Sequence, residues 1–342
     1  DSGCGAWLFE PQSTNLITYS EDFSDSSWTE VGLTITSNSV VSPSGLFDAY
    51  SVVGDSSQST TNTYLHNGIT LINGTTYTIS CFVKSKGYNA LIDSGSYSDD
   101  KRATFDFETE AFSYIGTNVI STSSEKLSGG WYRIEMTFIN SVNSAYSFLI
   151  TPVNGIGATG SPYDGTSGIY FYGAQLEEGS YATSYIPTEG TIKTRNQDLC
   201  SNGGDVSLIN SSEGVLYFEG STLVNSGNRF ISLKENASSQ DRMFLRFDTN
   251  GTITFRYYVG GSISINIVDS TINALDKNKI ACKWGLNNFS LWLNGIKVGE
   301  DLSGNVVTPN TYNKLQFNEY TNTNNFFGNT KALGVWKEAL TD

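Results

Sequence analysis

The chain has 342 residues, of which 38% are hydrophobic, 13% aromatic and only 16% charged. The aromatic content excludes a disordered chain, and the length accommodates two domains of ordinary size. Twenty Lys and Arg against 34 Asp and Glu leave a formal net charge of −14, which disfavours nucleic acid and anionic membrane surfaces, both of which demand dense cations.

Residues 1–14 read as a lead-in segment. Asp1-Ser2-Gly3-Cys4 has neither the basic n-region nor the apolar h-region of a signal peptide. No later stretch approaches the roughly 20 apolar residues of a membrane span, so no membrane insertion is expected. Strand-like runs then alternate with turns. Tyr77, Ile79, Cys81 and Val83 share one face of a predicted strand. Trp131–Phe138 alternates strictly, burying Tyr132, Ile134, Met136 and Phe138 and leaving Arg133, Glu135 and Thr137 wet. Ala145–Ile150 and Ile169–Gly173 are further predicted strands. Asn-Gly pairs at 67–68, 73–74, 154–155, 202–203, 250–251 and 294–295 suit hairpin turns that need positive φ. His66, the single histidine, reads as a partly exposed residue ahead of such a turn. Residues 15–190 therefore read as an antiparallel sandwich.

Residues 191–212 carry few periodic apolar positions and read as a linker plus the first strand of a second module. That module, 213–342, continues in hairpins: Gly214–Glu219, Arg229–Leu233, Arg242–Phe247, Thr252–Tyr258, Ser262–Val268, Lys279–Trp284, Phe289–Leu293, Lys314–Phe317 and Leu333–Trp336. A short helix is expected after Lys337. The fold class is all-β, two tandem antiparallel sandwiches. Cys81 and Cys282 lie inside strand-like runs and read as buried thiols. No Cys-x-x-Cys pair is present, so no structural zinc is expected. Cys4 and Cys200 flank the first domain, and a disulfide between them would close it.

Catalytic constellations are sparse. One histidine weakens any Ser-His-Asp arrangement. Glu177-Glu178, Asp99-Asp100 and Glu21-Asp22 are adjacent pairs; neighbours on a strand point to opposite faces and cannot form a hydrolytic dyad unaided. Asp248–Ile253 imitates a calcium loop, but Arg246 and Tyr257 would occupy its first and last ligand positions, so a hairpin turn is expected. Aromatics on wet strand faces are the candidate sugar platforms: Tyr170 and Tyr172, opposite Ile169 and Phe171; Tyr258, beside Arg256; and Trp292, opposite Leu291 and Leu293. Trp7, Trp28 and Trp131 read as structural anchors.

Gly173-Ala174-Gln175-Leu176-Glu177-Glu178-Gly179, running through Ala182–Thr188 to Arg195, resembles a segment repeated across phage tail-fibre and head-fibre proteins. With Asn15–Phe23, Trp28 and Gly130-Trp131-Tyr132-Arg133, the first domain resembles carbohydrate-binding jelly-roll modules. The order Glu213–Glu219, Lys279–Trp284, Phe289–Gly295 and Gly328–Thr341 resembles the concanavalin-like, laminin-G-like lectin sandwich. The resemblance implies a non-catalytic fibre or adhesin on a virion surface. Such a protein would be a homo-oligomer, with a trimer favoured, carried among other virion proteins and binding cell-surface or environmental polysaccharide. It also implies a structural Ca²⁺ in the first domain, held by Glu21, Asp48, Gln175 and Glu177. Two alternatives stand: a binding region of a secreted polysaccharide-degrading enzyme, and a lyase on a concanavalin-like sandwich.

Overall fold

The computed structural model describes residues 5–58, 63–95, 100–141, 147–155, 162–225, 227–235, 240–319, 321 and 323–341. The strands, in chain order, begin with β1 (Trp7–Phe9), β2 (Ser13–Asn15), β3 (Trp28–Val31), β4 (Leu33–Val40), β5 (Ala49–Gly54), β6 (Tyr64–Asn67), β7 (Thr76–Lys86) and β8 (Asn89–Asp93). Next come β9 (Arg102–Asp106), β10 (Ala111–Ser113), β11 (Val119–Lys126), β12 (Trp131–Ile139), β13 (Phe148–Val153), β14 (Gly168–Glu178), β15 (Lys193–Arg195) and β16 (Gly214–Thr222). The series closes with β17 (Arg229–Lys234), β18 (Arg242–Phe247), β19 (Ile253–Val259), β20 (Ser262–Asp269), β21 (Asn278–Trp284), β22 (Phe289–Leu293), β23 (Ile296–Asp301), β24 (Lys314–Gln316) and β25 (Gly328–Trp336). Among the described residues the one helical turn is a 3₁₀ turn at Ser128–Gly130. The helix expected after Lys337 does not form.

The chain divides into two compact units, and both are antiparallel sandwiches, as the alternation predicts. The first unit, Gln12–Asn196, stacks β10-β9-β8-β13-β6-β3 on β11-β12-β7-β14-β5-β4, with β15 paired to β2. Its core draws Phe105, Phe148 and Ile150 from one sheet and Ile79, Cys81, Val83, Ile134, Met136 and Phe171 from the other. The second unit joins Asp1–Pro11 to Gln197–Asp342. Its six-stranded sheet β1-β25-β16-β21-β22-β23 faces the five-stranded β20-β19-β18-β17-β24 across a core of Phe218, Leu245, Phe255, Trp284, Phe289 and Leu291. The lead-in segment thus holds β1, which pairs Trp7 with Thr330 and Phe9 with Gly328. The expected linker is divided: Lys193–Arg195 pairs with β2, whereas Gln197 onward belongs to the second unit.

Local chemistry explains several departures from expectation. Thr137 is buried because its hydroxyl pairs with that of Thr78 at 2.8 Å. His66 lies inside β6, opposite Leu149 and Thr29, because Asn67 continues the strand rather than turning it. Of the six Asn-Gly pairs, Asn294-Gly295 alone has positive φ at both residues, and it makes the β22–β23 hairpin. Trp28 is a core anchor, but Trp7 is 65% exposed. Asp248–Ile253 is the β18–β19 turn, closed by the Thr252 carbonyl accepting from Asp248 N–H. Cys81, Cys200 and Cys282 are free thiols, and Cys81 and Cys282 are sealed in the two cores. Cys4 and Asp99 lie outside the described residues.

Candidate functional site

The outward face of β14 gathers most of the residues singled out in the first domain. Strand β14 carries a bulge between Tyr172 and Gln175. Gly173 sits there at φ +62, and a Cβ on it would meet the Phe82 ring at 2.8 Å. The bulge reverses which alternate residues face the core: Ile169 and Phe171 before it, Ala174 and Leu176 after it. Tyr170, Tyr172, Gln175 and Glu177 consequently all face outward.

Cross-strand register builds rows on that face. Tyr170 lies opposite Lys84, which lies opposite Trp131; Tyr172 lies opposite Phe82, which lies opposite Arg133. The face is not simply wet. Ala49, Trp131 and Tyr172 form a buried cluster with Val40, Phe82, Leu127, Tyr170 and Tyr185 packed around it. The segment after Glu178 folds back over the second row: Tyr185 meets Phe82 edge-on at 5.6 Å, and the Thr183 carbonyl accepts from Arg133 at 2.5 Å. Tyr172 is therefore only 5% exposed, whereas Tyr170 stays half-buried. Beside the Tyr170–Lys84–Trp131 row opens a cleft of about 400 Å³, lined by Val40–Pro43, Lys84, Leu127–Gly129 and Trp131. Trp131 donates its indole N–H to the Val41 carbonyl at 3.0 Å, which fixes the ring in the cleft wall. Lys84 and Trp131 were not among the residues expected to bind sugar. The signal was present: strict alternation in β12 puts Trp131 on the outward side with Arg133 and Glu135.

The four residues of the expected calcium site fall into two pairs with different partners. Tyr172 donates its hydroxyl to Glu21 at 2.7 Å, and its pKa is raised by burial and by that carboxylate. Asp48 accepts from Ser44 Oγ at 3.3 Å through one oxygen, while its other oxygen is buried without a donor. Gln175 and Glu177 serve a different purpose. Glu177 Oε1 accepts from Ser13 Oγ and Thr183 Oγ1, both at 2.5 Å; its Oε2 accepts from Gln175 Nε2 at 2.7 Å and Thr183 N–H at 3.0 Å. The Gln175 oxygen accepts from Ile186 N–H at 2.6 Å. Two donors on each Glu177 oxygen fill the lone pairs a cation would need. Among the described residues no three His, Cys, Asp or Glu side chains are grouped to hold a metal. Gln175 and Glu177 do not fit a calcium site; they pin the Thr183–Ile186 return segment.

The other two platforms lie on the two sheets of the second unit. Trp292, on β22, lies in an apolar groove of about 200 Å³ with Val215, Ala281, Lys283 and Leu340. Its indole N–H donates to Ser290 Oγ at 3.0 Å, and Lys297 Nζ stands 5.7 Å from the ring. Tyr258, on β19, has the Arg242 guanidinium 3.6 Å from its ring centroid, so one ring face is already occupied. Its hydroxyl accepts from Arg256 at 3.4 Å.

No family model matches the chain, and no curated protein does. Among solved structures it is similar to a leech intramolecular trans-sialidase in complex with 2,7-anhydro-Neu5Ac, at 14% identity and a TM-score of 0.34, over 39% of this chain and 22% of that one. It is also similar to domains LG4-5 of the mouse laminin α1 chain, at 10% identity and a TM-score of 0.28, over 80% of this chain and 87% of that one. The chain thus spans about a fifth of the leech enzyme's length. With TM-scores this low, the fold rests on the strand order and the two cores described above.

Proposed function

We propose that this chain is a non-catalytic glycan-binding protein of a virion surface, a tail or head fibre or a comparable adhesin. The observation that carries the glycan reading is the Tyr170–Lys84–Trp131 row beside its cleft. A half-buried tyrosine ring offers an apolar plane for the C–H face of a pyranose, and the lysine and the backbone-rich Val40–Pro43 rim supply donors and acceptors for its hydroxyls. The Glu177 carboxylate, the most enclosed acid on this face, is held by four donors and has no role left as an acid or base. The fibre reading is supported by the resemblance of Gly173–Thr188 to fibre proteins and by the succession of two lectin-like sandwiches. Self-association into a trimer belongs to the same reading.

The test is a glycan array probed with the wild-type chain and with Tyr170→Ala, which truncates the platform without opening the core. Binding to neutral hexose glycans should weaken by about 1–2 kcal/mol, roughly five- to thirty-fold. An array with no signal, or an unchanged signal in the variant, would remove the cleft from consideration. Neighbouring portal, capsid or tail genes beside the reading frame are the expected genomic setting, and light scattering should report an oligomer.

A further inference from the structure

We propose that the first sandwich forms its own covalent cross-link, an isopeptide bond between the Lys101 side-chain nitrogen and the Asn140 side-chain carbonyl carbon, joining its two sheets. This is a modification site and does not rest on any glycan reading. Lys101 immediately precedes β9 and Asn140 immediately follows β12, and those strands belong to opposite sheets. Alternation turns both side chains inward. Ala103 and Phe105 are the core residues of β9, and Ile134, Met136 and Phe138 those of β12. Lys101 and Asn140 extend these two inward rows by one step each, to the end of the sandwich. The ladder continues past β9 at this point, because Ser94 N–H donates to the Lys101 carbonyl at 2.9 Å. Lys101 and Asn140 are both 0% exposed, and Lys101 Nζ donates to Asn140 Oδ1 at 3.1 Å. Oδ1 is one bond away from Cγ, the carbon an amine would attack.

The surroundings favour reaction over a static hydrogen bond. An ammonium carries three donors; among the described residues Lys101 Nζ uses one, on Asn140. Asn140 Nδ2 is buried without an acceptor. Burial holds the Lys101 pKa below the usual lysine range, which raises the share of the neutral, nucleophilic amine. The amide is held in place from behind: Asn140 N–H donates to the Thr75 carbonyl at 2.9 Å, and its carbonyl accepts from Gly74 N–H at 2.7 Å. Asp100 supplies a proton carrier. It is the charge that acts most strongly on Lys101, and its Oδ2 accepts from Asn118 Nδ2 at 3.0 Å and from Ser141 Oγ, beside Asn140, at 3.1 Å. In the step, the neutral amine adds to Cγ and a C–N bond forms. One amine proton passes through the Asp100 carboxylate to Nδ2, the Cγ–Nδ2 bond breaks, and ammonia leaves. An amine and a primary amide thus become a secondary amide and ammonia, with no oxidant or co-reactant. Fixing both groups in one dry site provides the effective concentration that slow amide chemistry otherwise lacks. The product also removes a buried cation and an unpaired buried donor, both costly to the fold.

The experiment weighs the intact, folded and purified full chain by mass spectrometry, with its thiols reduced. Wild type should be lighter than its sequence dictates by one ammonia. Protease digestion should release a branched peptide that joins the stretch around Lys101 to the stretch around Asn140. Lys101→Met and Asn140→Ala should each restore the sequence mass, and Asp100→Asn should leave unlinked chain. An Asn-Gly pair that closes to a cyclic imide also loses ammonia, so the measurement is repeated after hydroxylamine, which cleaves the chain at an imide and leaves an isopeptide bond intact. A wild-type chain at its full sequence mass, a deficit without the branched peptide, or a deficit that hydroxylamine converts to chain cleavage would each overturn the proposal. The decisive reading is made on wild type, so a variant that fails to fold does not obscure it. Glycan binding at the Tyr170 cleft is read separately on the array, so either proposal can fall while the other stands.

Discussion

The Asp93 carboxylate lies 3.2 Å from the Arg102 guanidinium, and their side chains are 2% and 6% exposed. They are cross-strand partners on β8 and β9, and the second Asp93 oxygen is buried without a donor. Burial outweighs the attraction of Arg102 and Lys101, so the Asp93 pKa is pushed up to about 8. The pair is an ion pair that desolvation has half undone.

A pH dependence follows from this pair. A carboxyl whose pKa is higher in the folded than in the unfolded chain binds a proton on folding. Its contribution is complete below the unfolded pKa and is lost as pH rises through the folded one. His66 acts in the opposite sense, because burial lowers its pKa, but only below its unfolded value of about 6.5. Between pH 6.5 and 8 the His66 effect fades, and the Asp93 effect is the larger of the two. Urea denaturation should show stability falling by on the order of 1 kcal/mol across that interval. Asp93→Asn should flatten the curve, and a wild-type midpoint that rises instead would refute the assignment.

Glu177 holds the return segment to β14 through four accepted hydrogen bonds. Glu177→Gln replaces one oxygen with a donor that faces other donors. The loss should be about 2–4 kcal/mol in urea denaturation, and Glu177→Ala should lose at least as much. The near-ultraviolet signal of Tyr185, which packs on Phe82 through the same segment, should change with it. A variant as stable as wild type would mean that these bonds are dispensable.

Thiol reactivity should rank the described cysteines. Burial raises the pKa of Cys81 and Cys282 far above the thiol range, and both side chains are inaccessible. Cys200 is partly exposed and raised only by partial burial. Iodoacetamide on the native chain should label Cys200 well before either core thiol, as peptide mass mapping would report. Labelling of Cys81 at the same rate would indicate that the first core opens readily.

The two units should respond differently to excision. Residues 12–196 contain a complete core and should fold alone. A fragment starting at residue 197 lacks β1, whose Phe9 stacks on Phe317 at 4.6 Å and meets Phe326 at 6.4 Å. It would also lose the paired bonds between Glu10 and Asp198. Thermal melting should place that fragment well below the same fragment supplied with a peptide of residues 5–11. Equal melting temperatures would show β1 to be ornamental.

Much of this architecture is legible in alternation. The inward positions of β7 and β12 are read directly, because one face of each meets a dry core. The adjacent acids Glu177 and Glu178 do separate to a buried and an exposed side. The outward faces are where pattern reading fails. Tyr172 reads as wet because alternation reports only which side of a sheet a residue takes, not whether a later segment returns to cover it. Gln175 and Glu177 have oxygen-rich side chains suited to a cation, yet Ser13, Thr183 and Ile186, distant in sequence, claim those oxygens first.

The pairing of Trp7 with Thr330 spans 323 positions, since 330 − 7 = 323. During synthesis, β1 must wait for a partner strand made more than three hundred residues later. The first sandwich, with both of its sheets contained in Gln12–Asn196, can close while the rest of the chain is still being made. The second closes last and draws the two distant stretches of chain together. Until then Gly328–Thr330 is an uncovered strand edge and Phe9 an unhoused ring, the kind of surface that pairs with a neighbouring copy. Where copies of this chain are made close together, that interval is when strand exchange between them would compete with correct closure.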